Sequence, residues 1–172
     1  MNQDFETQLQ VVQRALSEVV LPALKDADTH VIEQLHLSLA AIGFMQQRVP
    51  LARHYYRDTL QRYLAMAAAV SALLHAEAKG LEDLAGQGKV VLDDPAAADA
   101  DLRAATVALR AKIAALVEAS RNTSHESSLD VLVLEHSEAI LSEDRSWCIP
   151  LGFELRPEDL PKPDWQPLAA GA

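Results

Sequence analysis

Arginine and tyrosine crowd into one short part of the chain. Arg48, Arg53, Arg57 and Arg62 occur with Tyr55, Tyr56 and Tyr63, and Asp58 is the one acid among them. If the segment is helical, Arg53 and Arg57 stand one turn apart on the same face. Two guanidinium forks so placed can grip a phosphate or carboxylate bidentately, while Tyr56 and Tyr63 pack an apolar part of the same molecule. The nearby start of a helix adds a partial positive charge. The pattern predicts a site for an anionic ligand, phosphate or acyl-CoA-like, at Arg53, Arg57, Tyr56 and Tyr63. The plainer use of the same residues is structural: the arginines lie along the rim, stems on apolar surface, and pair with acids of neighbouring helices.

Other reactive residue types are present without their usual companions. Glu33-Gln34-Leu35-His36 puts a carboxylate and an imidazole on one helix face, as di-iron bundles require, but the chain has no second Glu-x-x-His. His30, His54, His75, His125 and His136 are scattered, so a three-histidine metal site would need distant elements to converge. Cys148 is the only cysteine. It allows no intrachain disulfide, and beside Trp147 it reads as a small buried apolar group rather than a nucleophile. The chain has neither a Gly-x-Ser-x-Gly elbow nor a phosphate-cradling glycine loop. No catalytic residue, metal or cofactor is therefore assigned. Asn122-Thr123-Ser124 matches a glycosylation sequon and is read as a helix end.

The elements that must position these residues are helical. Phe5, Leu9, Val12, Leu16 and Val19 repeat at four and three residues and mark a first helix, with Pro22 as a kink or a last turn. Asp26, Asp28 and Thr29 supply caps for a second helix, with Ile32, Leu35, Leu39 and Ile42 as its apolar row and its end near Arg48. The strongest pattern is Tyr56, Leu60, Tyr63, Ala67, Val70 and Leu74, a third helix from Pro50 through Lys79. Gly80, Gly86 and Gly88 weaken any continuation, and Val90 to Pro95 reads as a loop with a short extended piece. A fourth helix follows from Ala96 with Leu102, Leu109, Ile113 and Leu116. A fifth, capped by Ser127 or Ser128, runs to about Arg145.

After residue 146 the composition changes. Five of the eight prolines and both tryptophans lie in the last 26 residues. That part is expected to be an extended tail, anchored by Trp147, Phe153 and Trp165 on its own bundle or on a second subunit. The expected fold is all-α: an up-and-down bundle of four to five helices over residues 1–146, with an extended proline-rich tail over 147–172. With 29 alanines and 26 leucines the core is aliphatic and its helices can approach closely.

Net charge is −10, which repels polyanions and makes nucleic acid a poor partner. No transmembrane segment is expected, and acids in Met1 to Thr7 stand where a secretory signal would carry bases, which predicts a cytoplasmic protein.

The segment Ala15-Leu16-Ser17-Glu18-Val19-Val20-Leu21-Pro22-Ala23-Leu24, followed by a helix through Leu39-Ala40-Ala41-Ile42, resembles a small bacterial all-helical family of unknown function. Members of that family accompany acyl-CoA dehydrogenases and aminoglycoside-kinase-like proteins. About 30 residues carry the resemblance, and Thr29-His30-Val31 stands where the family has an arginine-rich helix start. The resemblance implies a bacterial accessory protein and carries over no catalytic residue. Together the residues predict a non-catalytic helical protein that acts through protein association as a homodimer, with the third helix or the tail in the contact. A small-molecule binding protein or enzyme with an anionic ligand at Arg53 and Arg57 is the alternative.

Overall fold

The row from Tyr56 to Leu74 does lie on one helix. The computed structural model describes residues 4–163, and among them there is helix and turn but no strand. The protein is an all-α helical bundle. Its first helix, α1 (Phe5–Arg14), continues without a break through a wider π-helical stretch (Ala15–Val20) and a last turn (Leu21–Ala23). Then come α2 (Thr29–Arg48), α3 (Ala52–Leu74), α4 (Leu81–Asp93), α5 (Asp99–Ala119) and α6 (Glu126–Cys148). Single tight turns at Val49–Leu51, His75–Ala78, Ile149–Leu151 and Pro157–Asp159 complete the described chain. No helix among the described residues is long and apolar enough to cross a membrane.

The described residues fall into two compact units, one of 4–51 with 145–161, the other of 52–144 with 162–163. The second unit holds the core. Leu60, Val70, Leu81, Leu102, Leu109 and Leu129 are the largest fully buried side chains, contributed by α3, α4, α5 and α6. Each Leu so placed is worth about 2–5 kcal/mol against alanine. Met66, Leu74, Ile113 and Ile140 fill the remaining space.

Helix α4 overturns one expectation. Leu81–Asp93 is a continuous helix, so Val90 to Asp93 is its last turn and no extended piece exists there. The glycines that argued against a helix are what place it. Gly80 takes φ +83°, a left-handed conformation that breaks the chain between the turn at His75–Ala78 and α4. Gly88 faces the core, where a Cβ would sit 3.3 Å from Leu64 Cδ2 and 3.6 Å from both Leu60 Cδ1 and Leu109 Cδ1. Glycine there lets α4 settle against α3 and α5, and burial offsets the roughly 1 kcal/mol that glycine costs a helix.

Within the first unit, Pro22 lies in the last helical turn, Leu21–Ala23, one of the two expected alternatives. It lacks an amide hydrogen for the carbonyl of Glu18 and crowds that oxygen, and the widened Ala15–Val20 stretch just upstream accommodates both effects. Asp4 caps α1 by accepting from Thr7 N at 2.7 Å, and Asp28 caps α2 by accepting from His30 N at 2.9 Å. Helix α6 starts at Glu126, ahead of the expected serine cap. The Glu126 carboxylate accepts from Asn122 N at 2.8 Å and from Arg121 Nη1 at 3.1 Å, while Asn122 takes φ +61° to turn the chain.

The region expected to be a tail is still helical at Trp147 and Cys148. Beyond it, Arg145 grips Glu154 with two 2.9 Å hydrogen bonds. Trp147 packs edge-on to Phe44, with centroids 6.0 Å apart, and so anchors as expected. Phe153 does not: it is 76% exposed. Trp165 lies outside the described residues.

Candidate functional site

The two arginines expected to face a ligand face the backbone instead. Arg53 Nη1 donates to Ala97 O at 2.6 Å and reaches Asp99 Oδ1 at 3.4 Å, while its Nη2 donates to Pro95 O at 2.5 Å. Arg57 Nη2 donates to Leu92 O, and its Nη1 lies 3.4 Å from Asp94 O. Both forks thus hold the last turn of α4 and the loop into α5. A helix C-terminus leaves carbonyls without amide partners and carries partial negative charge, so a guanidinium there satisfies oxygens and complements the dipole.

Arg48 repeats the device in the first unit. Only 6% exposed, it donates from Nε to Trp147 O at 2.8 Å and from Nη2 to Ser146 O at 3.0 Å, at the end of α6. Its guanidinium carbon lies 5.4 Å from the centre of the Trp147 ring, a cation–π contact. Burial pulls its pKa down from the ordinary arginine value, and nearby Cys148 opposes that shift.

Arg62 pairs with two acids. Its Nε stands 2.7 Å from Asp58 Oδ2 and 2.6 Å from Glu143 Oε2. Glu143 is 4% exposed, on the inward row of α6. One turn of α3 away, the Tyr55 hydroxyl donates to Asp144 Oδ1 at 2.6 Å. Burial, then that bond, then the Asp144 charge drive the Tyr55 pKa far above its ordinary value. Tyr55, Asp58 and Arg62 from α3 with Glu143 and Asp144 from α6 therefore form a polar seam in the second unit. The seam matches opposite charges and holds a protonated phenol, an arrangement suited to fixing the register of two helices. Sequence reasoning missed it, although a signal existed: Glu143 falls three residues after Ile140, where the apolar period of α6 calls for an aliphatic residue.

The expected site residues are divided. Tyr56 packs against the core with the Arg103 guanidinium 5.6 Å from its ring centre. Tyr63 lines a groove of about 460 Å³ with Leu134, Leu141 and Asp144 of α6. Burial raises the Tyr63 pKa and adjacent Arg110 opposes it. Arg53 and Arg57 turn to the 92–99 segment, away from the partners of Tyr63.

Glu33 and His36 lie exposed on an apolar groove with Leu37, Ala40, Leu151 and Phe153. Among the described residues, no three His, Cys, Asp or Glu side chains are grouped to hold a metal ion. Cys148 is exposed, not the small buried group expected, because the last turn of α6 leaves it on the outer side. No protein-family model, curated protein or solved structure matches the chain.

Proposed function

We propose that this protein is non-catalytic and acts by association, as a homodimer of helical chains. One observation carries the reading: the two units bury their apolar residues very unequally. In the second unit aliphatic rows of α3 and α5 are closed off from water, although α6 leaves Val131, Leu134 and Leu141 exposed, whereas among the described residues of the first Ile42 is the only buried aliphatic residue. Large apolar side chains left in water along two helices are the mark of a protein that meets another protein surface. Apolar rows at helical spacing narrow the partner to further helices. The exposed Cys148 thiol suits a reducing compartment, in keeping with a cytoplasmic setting.

The anionic-ligand reading has less behind it. A phosphate at Arg53 and Arg57 would have to displace the carbonyls of Leu92, Pro95 and Ala97. Those oxygens would then be left without their donors, at about 1–3 kcal/mol each where they are shielded from water.

Sedimentation equilibrium from one to one hundred micromolar tests the proposal. The expected result is a mass of twice 18.8 kDa at the upper end. A chain that stays monomeric across that range refutes homodimerisation.

A further inference from the structure

Helix α1 and helix α2 each carry one stripe that is fully exposed and wholly uncharged. On α1 and the π-helical stretch that continues it the stripe is Phe5, Gln8, Val12, Ala15 and Val19; on α2 it is Val31, Gln34, Ser38, Ala41 and Met45. Both follow spacings of three, four, three and four, the period with which one helix packs along another. The residues next round on each helix, Leu9 and Leu16 on α1 and Leu35, Leu39 and Ile42 on α2, are half-buried or buried. Each helix has therefore covered one edge of its apolar surface and left the other in water, with Phe5 at 60%, Val12 at 45% and Val19 at 68% exposed.

The two stripes belong to one face. A groove of about 300 Å³ is lined by Phe5 and Leu9 of α1 together with Met45 and Gln46 of α2, with the acids Asp4 and Glu6 also in its lining, so the start of α1 lies beside the end of α2. The helices run antiparallel from there. Gln46 Nε2 is buried at this groove and has no hydrogen-bond partner among the described residues.

Charge selects the occupant. The chain carries −10 overall, so two copies repel least where few acids are presented, and along the two stripes acid is confined to Asp4 and Glu6 at the groove where α1 begins. Ten exposed positions without a charge, in a chain whose residues are 23% charged, form such a surface. A basic partner would instead be met by acids interleaved along the stripe. Size agrees: a face two helices wide and as long as α2 is about 20 by 30 Å. Its accessible area is of the order of the ~800 Å² per partner that a stable interface buries. Ala15, Ser38 and Ala41 are small enough for helix axes to come close.

We infer that a second copy of this chain docks on the uncharged face of the α1–α2 pair, so that two such pairs close into a four-helix bundle. This names the partner and the surface of the association proposed above, and it rests on that reading. Each copy supplies the helices that the other lacks, and the contact is the same patch on both, as a two-fold dimer requires.

The test uses the full chain with Val12→Glu and, separately, Ser38→Glu, both at exposed positions where the single chain has nothing to lose. Val107→Glu, exposed on α5 of the second unit, is the control. Light scattering across a dilution series reads the dimer, and far-ultraviolet circular dichroism checks that helix content is retained. The expected result is a wild-type dimer whose dissociation constant rises at least 30-fold in each stripe variant and stays within threefold in Val107→Glu. If one stripe variant fails to fold, the other decides. A wild-type dimer that both stripe variants leave unchanged, or that Val107→Glu weakens equally, overturns this surface while homodimerisation stands. A wild-type monomer at one hundred micromolar removes both.

Discussion

Replacing Arg53 and Arg57 together with alanine separates an arginine that holds the fold from one that holds a ligand. The pair makes three close hydrogen bonds to backbone carbonyls of Leu92, Pro95 and Ala97, plus longer approaches to Asp94 O and Asp99 Oδ1. A hydrogen bond from a charged donor contributes about 1.5–3 kcal/mol when shielded. The Arg53 side chain is 38% exposed, so water replaces part of what is lost and the contribution is discounted by about half. About 2–4 kcal/mol of stability should disappear in the double variant, which for a chain of this size is a fall in Tm of roughly 5–15 °C. Urea unfolding followed by circular dichroism measures it. Hydrogen exchange adds the location, since the amides of Ala97 and Ala98 should lose protection first. Arg57→Lys should recover less than half of the loss, because an ammonium cannot reproduce the two-pronged geometry. A double variant within about 0.5 kcal/mol of the parent, with no change in exchange near Ala97, would refute the clamp. Those arginines would then be available to a ligand.

Gly88→Leu should cost about 3 kcal/mol or more by overpacking against Leu60, Leu64 and Leu109, whereas Gly88→Ala should fall within about 1 kcal/mol of neutral because helix propensity offsets the tight 3.3 Å contact; the urea midpoints decide. Glu126 and Glu154 are both held below the usual carboxylate range, Glu126 first by its bond from Asn122 N and Glu154 first by Arg145. Their contribution should be complete above about pH 4.3 and vanish as pH falls through the lower folded values, so the acid-side fall in urea midpoint should flatten in Glu126→Gln with Glu154→Gln. Tyr55 and Tyr63 are raised, so folding keeps the neutral phenols and stability should fall as pH climbs above about 10. Tyr55→Phe should leave Asp144 without its donor at a cost of about 1–3 kcal/mol in urea unfolding.

Most of the helix pattern is visible in residue spacing, because a period of three and four aliphatics has few ways to be satisfied. The Tyr56 to Leu74 row on α3 and the Leu102 to Leu116 row on α5 are read directly from it. Helix α4 is not, since glycine has a poor intrinsic propensity and its packing use at Gly88 depends on Leu60, Leu64 and Leu109 arriving from other helices. What the arginines meet is hidden in the sequence for a related reason. Sequence shows which charges exist but not which backbone carbonyls lack partners, and the carbonyls of Leu92, Trp147 and Ser146 become acceptors in need only once α4 and α6 end where they do. Of the expected site, Arg53 and Arg57 were correctly placed on one face, and what that face meets came from tertiary structure.

The difference between the two units bears on why the first helix was easy to read and still incomplete. Phe5, Leu9, Val12, Leu16 and Val19 make as regular a row as any in the chain, yet none of them is buried. Regular spacing reports that a helix was selected to pack, not that its partner lies in the same chain. In the second unit the rows of α3, α4, α5 and α6 build one buried core, although α6 leaves Val131, Leu134 and Leu141 exposed. In the first, α1 lies against α2 while α2 also meets Trp147 and the turn after α6, and the row on α1 is left alternately half-covered and exposed. A polar substitution at Val12 is therefore expected to be silent in the unfolding of an isolated chain and costly in a dimer. That contrast distinguishes a surface kept apolar for a partner from one that is apolar by accident.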